Sequence, residues 1–225
     1  MANLILFAVA PVLIIILYIY IQDKYEKEPP GLLLASFFMG AVLSILITIG
    51  IYIVTGNLIP DLEERSVWHQ FIQAFVVVAL TEEFSKYVIV RYFAQPKKAF
   101  NEPYDGIVYA VMVSMGFAAT ENIMYVLDGG YTTALVRAFT AVPAHATFGI
   151  LMGYFMGKAK FSNNRIKLNL YGLFLAVMFH GAYDFFLFID FIPGISTGAF
   201  VSLIVAIVLS RKAIKTHQNN SRFKS

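Results

Sequence analysis

The sequence has 225 residues, 59% hydrophobic and 14% charged, with a mean hydropathy of +0.70. A soluble domain carries about 25% charged residues, so this chain lacks the polar groups to coat a water-facing surface, and the bilayer is its natural solvent. It has no cysteine, which excludes disulfides, thiolate metal sites and cysteine nucleophiles. The net charge of +3 comes from basic residues spread over loops, which is not a nucleic-acid footprint.

Seven apolar runs follow one another, at 3–22, 31–54, 67–93, 105–127, 132–157, 168–189 and 193–210. Each can cross a hydrocarbon core of about 30 Å at about 1.5 Å per residue. The first run is apolar from Leu4, without a basic n-region or an early small-residue cleavage site, and reads as a retained helix. Polar or Gly/Pro segments separate the runs, most thinly at Asp128-Gly129-Gly130-Tyr131. The pattern predicts an all-α, polytopic integral membrane protein of about seven transmembrane helices. One helical domain spans 1–210, and 211–225 form a basic tail expected to be loose beyond its first turn.

Charge orients the spans. Lys24 and Lys27 lie in the first loop, Arg91, Lys97 and Lys98 in or beside the third, and Lys158, Lys160, Arg165 and Lys167 in or beside the fifth. Arg211, Lys212, Lys215, Arg222 and Lys224 lie in the tail. Of the alternate loops, the second has only Arg65, among Asp61, Glu63 and Glu64, and the fourth and sixth have none. This places the N-terminus outside and the C-terminus in the cytoplasm.

The informative residues are the ionisable ones inside the spans. Glu82, Glu83 and Lys86 are in the third, Glu121 and Asn122 in the fourth, Arg137 and His145 in the fifth, and His180 and Asp184 in the sixth. A charge at mid-bilayer costs at least about 2.5–3.5 kcal/mol, so these groups must face each other or a wet cavity. Glu82 and Lys86 are i,i+4, and Glu83 reaches Lys86 at i,i+3. Asp184 lies four residues after His180 and can fix its tautomer. Arg137 and His145, eight apart, are expected on one side of one helix, with Pro143 disturbing its ladder. Counting along the spans sets Glu121 roughly 10 Å from the level of Glu82.

Each feature also has a plainer reading. Glu82 with Lys86 satisfies the description of a salt bridge that only locks helices, and Arg137 that of a counter-ion to Glu121. His69 and His217 read as solvated, and Trp68 and the span-end tyrosines as an aromatic belt. Gly149, Gly153 and Gly157 read as close helix packing.

The sequence contains no HExxH zinc helix, no GxSxG elbow and no phosphate loop. Ser85 is the one serine beside the glutamates. What remains is carboxylates and imidazoles around a buried point. A glutamate there can act as general base and then acid, and histidines can bind an oxyanion or a metal. Hydrolysis is a natural output. A proton-coupled transporter uses the same groups, but no repeat with paired broken helices is evident.

The segment Thr81-Glu82-Glu83-Phe84-Ser85-Lys86 resembles the EExxK motif of the PrsW proteases. Tyr104-Asp105-Gly106-Ile107-Val108-Tyr109, Gly116-Phe117-Ala118-Ala119-Thr120-Glu121-Asn122, Pro143-Ala144-His145-Ala146 and His180-Gly181-Ala182-Tyr183-Asp184 are similar to that family in the same way. The resemblance implies a membrane-embedded endopeptidase of the bacterial plasma membrane that makes the first, extracytoplasmic cut in a single-pass anti-sigma factor. A second intramembrane protease then acts on the product, and an envelope-stress regulon follows. The related CAAX prenyl endopeptidases and Abi proteins carry EExxxR, FxxxH and HxxxN motifs. Here Glu121 stands where those have histidine and Asp184 where they often have asparagine, and an ionised carboxylate cannot donate a hydrogen bond.

With that resemblance, Glu82 is expected to be the general base, supported by Glu83 and charge-balanced by Lys86. His180, His145 and Glu121 complete the catalytic set, with Asp184, Asn122 and Arg137 supporting. Two mechanisms stay open, one metal-free and one with zinc held by Glu121, His145 and His180. So does a peptidase acting on lipidated or secreted peptides at the same site.

Overall fold

The computed structural model describes residues 1–55 and 65–224. Asp61, Glu63 and Glu64 of the second loop lie outside the described residues. The described residues form helices and no strand: α1 (Ala2–Gln22), α2 (Pro30–Thr55), α3 (67–94), α4 (Pro103–Phe139), α5 (Ala141–Lys160), α6 (Arg165–Phe188) and α7 (Thr197–Asn219). Local chemistry sets several of these ends. Pro30 and Pro103 occupy first turns, where a missing N–H costs nothing. Glu102 and Asp105 form a reciprocal capping box at the start of α4. Gly194, at φ 79°, turns the chain between α6 and α7.

Among the described residues, five helical stretches are long and apolar enough to cross a membrane: Ala2–Gln22, Pro30–Thr55, Pro103–Lys160, Arg165–Phe188 and Thr197–Asn219. The third of these holds both α4 and α5. The α3 run falls short of the measure because Glu82, Glu83, Lys86 and Arg91 dilute its apolar residues.

Three expectations need correction. The run 132–157 is not one helix. Gly130, at φ 71° and ψ −159°, bends α4, and Thr140, at φ −123° and ψ −82°, separates Phe139 from Ala141. The break therefore falls before Pro143, which sits harmlessly in the first turn of α5. The tail is not loose at 211, since α7 runs to Asn219 and Gln218 donates to the Gln22 carbonyl. His217 is not solvated: it is buried, stacks on Tyr154 and contacts that residue's carbonyl.

The long, buried part of α4 and all of α5 form the centre of the bundle. They are held together by the glycines the sequence marks for close packing. A Cβ on Gly153 would lie 2.3 Å from the Gly106 carbonyl oxygen, and one on Gly157 1.9 Å from that of Pro103. Outward faces of α1, α2 and α7 expose Leu6, Ile14, Leu17, Ile53, Val201 and Ile204, as lipid contact requires.

The loops that follow α1, α3 and α5 meet at one end of the bundle. Lys160 Nζ donates to the Lys97 carbonyl at 2.6 Å, Asn101 to Glu26 at 3.1 Å, and Arg165 to Gln95 at 3.3 Å. The end of α7 joins them through Ser221 and Glu102. The basic loops thus share an end, as their alternation along the sequence requires.

Gly153→Ala should lower the thermal unfolding midpoint of the detergent-solubilised protein, costing about 1–3 kcal/mol through overpacking. Gly31→Ala, whose Cβ meets nothing within 4 Å, should leave the midpoint unchanged or raised. Equal effects of the two would refute the packing role.

Candidate active site

The site glutamates stand on Leu80–Ile89, an α-helical segment of α3 flanked by π-helical turns at Ile72–Ala79 and Val90–Ala94. Wider turns of this kind recur at functional sites. Because the segment itself is α-helical, Glu82, Glu83 and Lys86 keep the expected face. Lys86 Nζ lies 2.7 Å from Glu83 Oε1 and 3.4 Å from Glu82 Oε2, so the i,i+3 partner is the closer one. All three side chains are buried. The Lys86 ammonium also sits 4.1 Å from the centre of the Phe117 ring.

The histidines arrive from α5 and α6. His145 Nδ1 is 3.3 Å from Lys86 Nζ, and its Nε2 is 3.0 Å from Glu121 Oε2. His180 Nδ1 is 2.9 Å from Glu83 Oε1, and its Nε2 is 3.2 Å from Asp184 Oδ2 and 4.0 Å from Glu82 Oε2. The two rings meet edge to face with centroids 5.2 Å apart, and Phe148 stacks on His180. Arg137 closes the group, reaching Glu121 at 2.6 Å and Asn122 Oδ1 at 2.7 Å, while Asn122 Nδ2 donates to the Ala8 carbonyl.

Every candidate residue therefore joins one connected set. Counting along the spans separates the levels of Glu82 and Glu121, and Lys86 and His145 bridge that separation. Arg137 and His145 are not on one helix, yet both reach the same carboxylate. Ser85 is spoken for in packing: its hydroxyl donates to the Glu82 carbonyl and shares hydrogen bonds with Ser44 and Thr48. Tyr52 was not foreseen. Its hydroxyl faces Glu82 Oε1 at 3.5 Å, and at a span end it reads as one more belt tyrosine.

A cavity of about 690 Å³ opens onto this set. Glu82, Glu121, His145, His180 and Asp184 line it, whereas Glu83 lies beneath. It reaches Thr55, Thr140 and Phe188, at helix ends away from the basic loops.

Ligand atoms of Glu82, Glu83, His145 and His180 all lie within 4.8 Å of one another. Two carboxylates and two imidazoles are a donor set suited to zinc. Glu83 Oε2 is buried without a hydrogen-bond partner, an orphaned acceptor of the kind a cation satisfies. The residues thus fit a metal, and Glu121, expected beside His145 and His180 in a zinc set, is not in this group. Its Oε2 is engaged by Arg137 and His145 Nε2.

An apolar bundle with a buried carboxylate–imidazole site beneath a cavity fits a multi-pass membrane hydrolase. The family profile described as PrsW family intramembrane metalloprotease matches residues 28–211. The chain is 40% identical over 188 residues to Protease PrsW of Geobacillus kaustophilus, covering 83% of this chain and 80% of that one. It is 38% identical over 182 residues to Protease PrsW of Bacillus subtilis, covering 80% of each. The Clostridioides difficile protein of the same name is 34% identical over 233 residues, 98% of this chain and 93% of that one. No solved structure matches. The chain belongs to the PrsW family: it is a membrane peptidase, multi-pass in the bacterial cell membrane.

Arg137→Gln should destabilise the protein by stranding Glu121, and Glu121→Gln should do so less. A double-mutant cycle read by thermal unfolding should return a coupling of about 0.5–3 kcal/mol. Strict additivity would mean that the pair does not hold the site together.

Proposed function

We propose that the protein makes the first, extracytoplasmic cut in a single-pass membrane anti-sigma factor, upstream of a second intramembrane protease. In this reading all seven helical runs cross the bilayer, with the N-terminus outside and the C-terminus cytoplasmic. One observation carries it. The candidate set lies on a cavity that reaches the helix ends opposite the basic loops, and basic loops face the cytoplasm. A substrate segment outside the membrane then approaches the site from its open side.

The roles follow from position. Glu82 faces the cavity and is loosely held, at 3.4 Å from Lys86 and 3.5 Å from Tyr52. It takes a proton from a cavity water as the water attacks the scissile carbonyl, then delivers it to the leaving amine. Lys86 offsets the charge of the two glutamates. Asp184 and Glu121 fix the rings of His180 and His145. Glu83, His145 and His180 would hold a zinc-class metal, which when bound activates water and polarises the carbonyl. Glu82 lies in the same group and lines the cavity, where it is left free to act as the base.

Co-expression with a tagged anti-sigma factor encoded in the same genome should yield a shortened product. Glu82→Gln and His180→Ala should each slow its appearance by about 10²–10⁴-fold. Variants that cut like wild type would remove these residues from the mechanism. A folded wild type that cuts nothing would favour proton-coupled transport. Metal analysis of the purified protein should find about one zinc-class ion per chain, lost in Glu83→Gln and His145→Ala but kept in Glu121→Gln. Retention in the first two would refute the ligand assignment.

A further inference from the structure

A second group of carboxylates lies at the other end of the bundle and plays no part in the chemistry above. Glu26 and Glu28 come from the link between α1 and α2, and Asp105 from the first turn of α4. One oxygen from each lies within 4.8 Å of the other two. Asp105 is 16 residues from Glu121 on the same helix, about 24 Å along its axis, so this group is separate from the active site.

Each carboxyl has one oxygen engaged and one free. Glu26 Oε1 accepts from Asn101 Nδ2, Glu28 Oε2 from the Tyr109 hydroxyl, and Asp105 Oδ2 from the backbone N–H groups of Asn101 and Glu102. Glu26 Oε2, Glu28 Oε1 and Asp105 Oδ1 are buried with no hydrogen-bond partner. Glu28 is 1% and Asp105 0% exposed. An ionised carboxylate out of water needs a partner, and none is supplied here. Among the described residues no lysine or arginine nitrogen lies within ion-pair distance of the three. Lys27 is turned back to the Tyr20 carbonyl and ring, and Lys160 to the Lys97 carbonyl. Burial, and then Asp105, push the Glu28 carboxyl up to about 9, and burial pushes that of neighbouring Asp23 up to about 6.

We propose that Glu26, Glu28 and Asp105 form a binding site for a hard divalent cation, which clamps the α1–α2 link to the start of α4. The donors are all oxygen, which selects calcium- or magnesium-like ions over zinc or copper. Three oxygens on three carboxyls leave the remaining positions to water, as magnesium in particular demands. A proton held between Glu28 and Asp105 relieves the same repulsion without a metal, and is the alternative that the test must separate.

The probe is Tb³⁺, a hard oxygen-seeking ion whose luminescence is sensitised by nearby tyrosine; the Tyr109 hydroxyl bonds Glu28 directly. Chelator-treated full-length protein in detergent is titrated with Tb³⁺ under tyrosine excitation, then back-titrated with Ca²⁺ and Mg²⁺. Wild type should show a saturable signal that both ions displace. Glu26→Gln and Asp105→Asn should each weaken apparent affinity about tenfold or more, whereas Glu83→Gln, which alters the membrane site, should keep it. Glu26 is only half-buried, so its variant tests the site even if Asp105→Asn fails to fold. No wild-type signal, or equal affinity in wild type and Glu26→Gln, would overturn the proposal and leave the shared proton. A signal lost in Glu83→Gln alone would place the ion at the active site instead.

Discussion

An ammonium group enclosed by apolar helices has to be matched by carboxylates, and Lys86 is matched by two that precede it by three and four residues on its own helix. The rest of the centre is arranged around that match. Glu83, anchored by Lys86, brings His180 and with it α6. Lys86 itself meets His145 of α5, and His145 meets Glu121 of α4. One continuous line of polar contacts thus ties four helices that have no hydrophobic reason to choose one another, since lipid is as apolar as they are. Removing any single member leaves a charge or an acceptor stranded, which costs more than the intact pair contributes.

The same line sorts structural groups from reactive ones. Glu83 and Glu121 are held tightly, with contacts of 2.6–3.0 Å. The Glu82 carboxylate has no polar contact shorter than 3.4 Å, and unlike Glu83 it borders the cavity. The proposed mechanism asks one group to exchange its partner for water and substrate, and the loosely held carboxylate suits that role. The hold on its neighbours keeps the rings and the ammonium in place while it does so.

Much of this was legible before any coordinates. Charges within apolar runs had to converge, because lipid tolerates none of them, and the alternation of basic loops fixed which helix ends would meet. Distances along the sequence within one α-helical segment were also reliable, as Glu82, Glu83 and Lys86 show. What was hidden lay where helical periodicity stops. The π-helical turns on both sides of Leu80–Ile89 shift the register of α3, so steps of about 3.6 residues do not carry a helix face across them. His217 looked solvated because the basic residues around it mask the helix face it shares with Ser210 and Ile214. Glu26, Glu28 and Asp105 come from two segments far apart in sequence, and only the fold brings them together.

Arg137 and His145 show most clearly why a break in a helix can be functional. On one helix, residues eight apart would sit about 12 Å from each other along the axis, too far for both to hold one oxygen. Yet both reach Glu121 Oε2, at 2.6 Å and 3.0 Å. The chain achieves this by turning at Gly130, where φ is positive and glycine is the residue that accepts it, so that the final turns of α4 fold back beside Glu121. It then starts a new helix at Ala141, which brings His145 in from the other side. Continuous helix from 132 to 157, as the apolar run suggests, would leave Glu121 with one partner at most. His145 would then lack the carboxylate that fixes its ring, and the nitrogen it turns towards Lys86 would no longer have a defined direction.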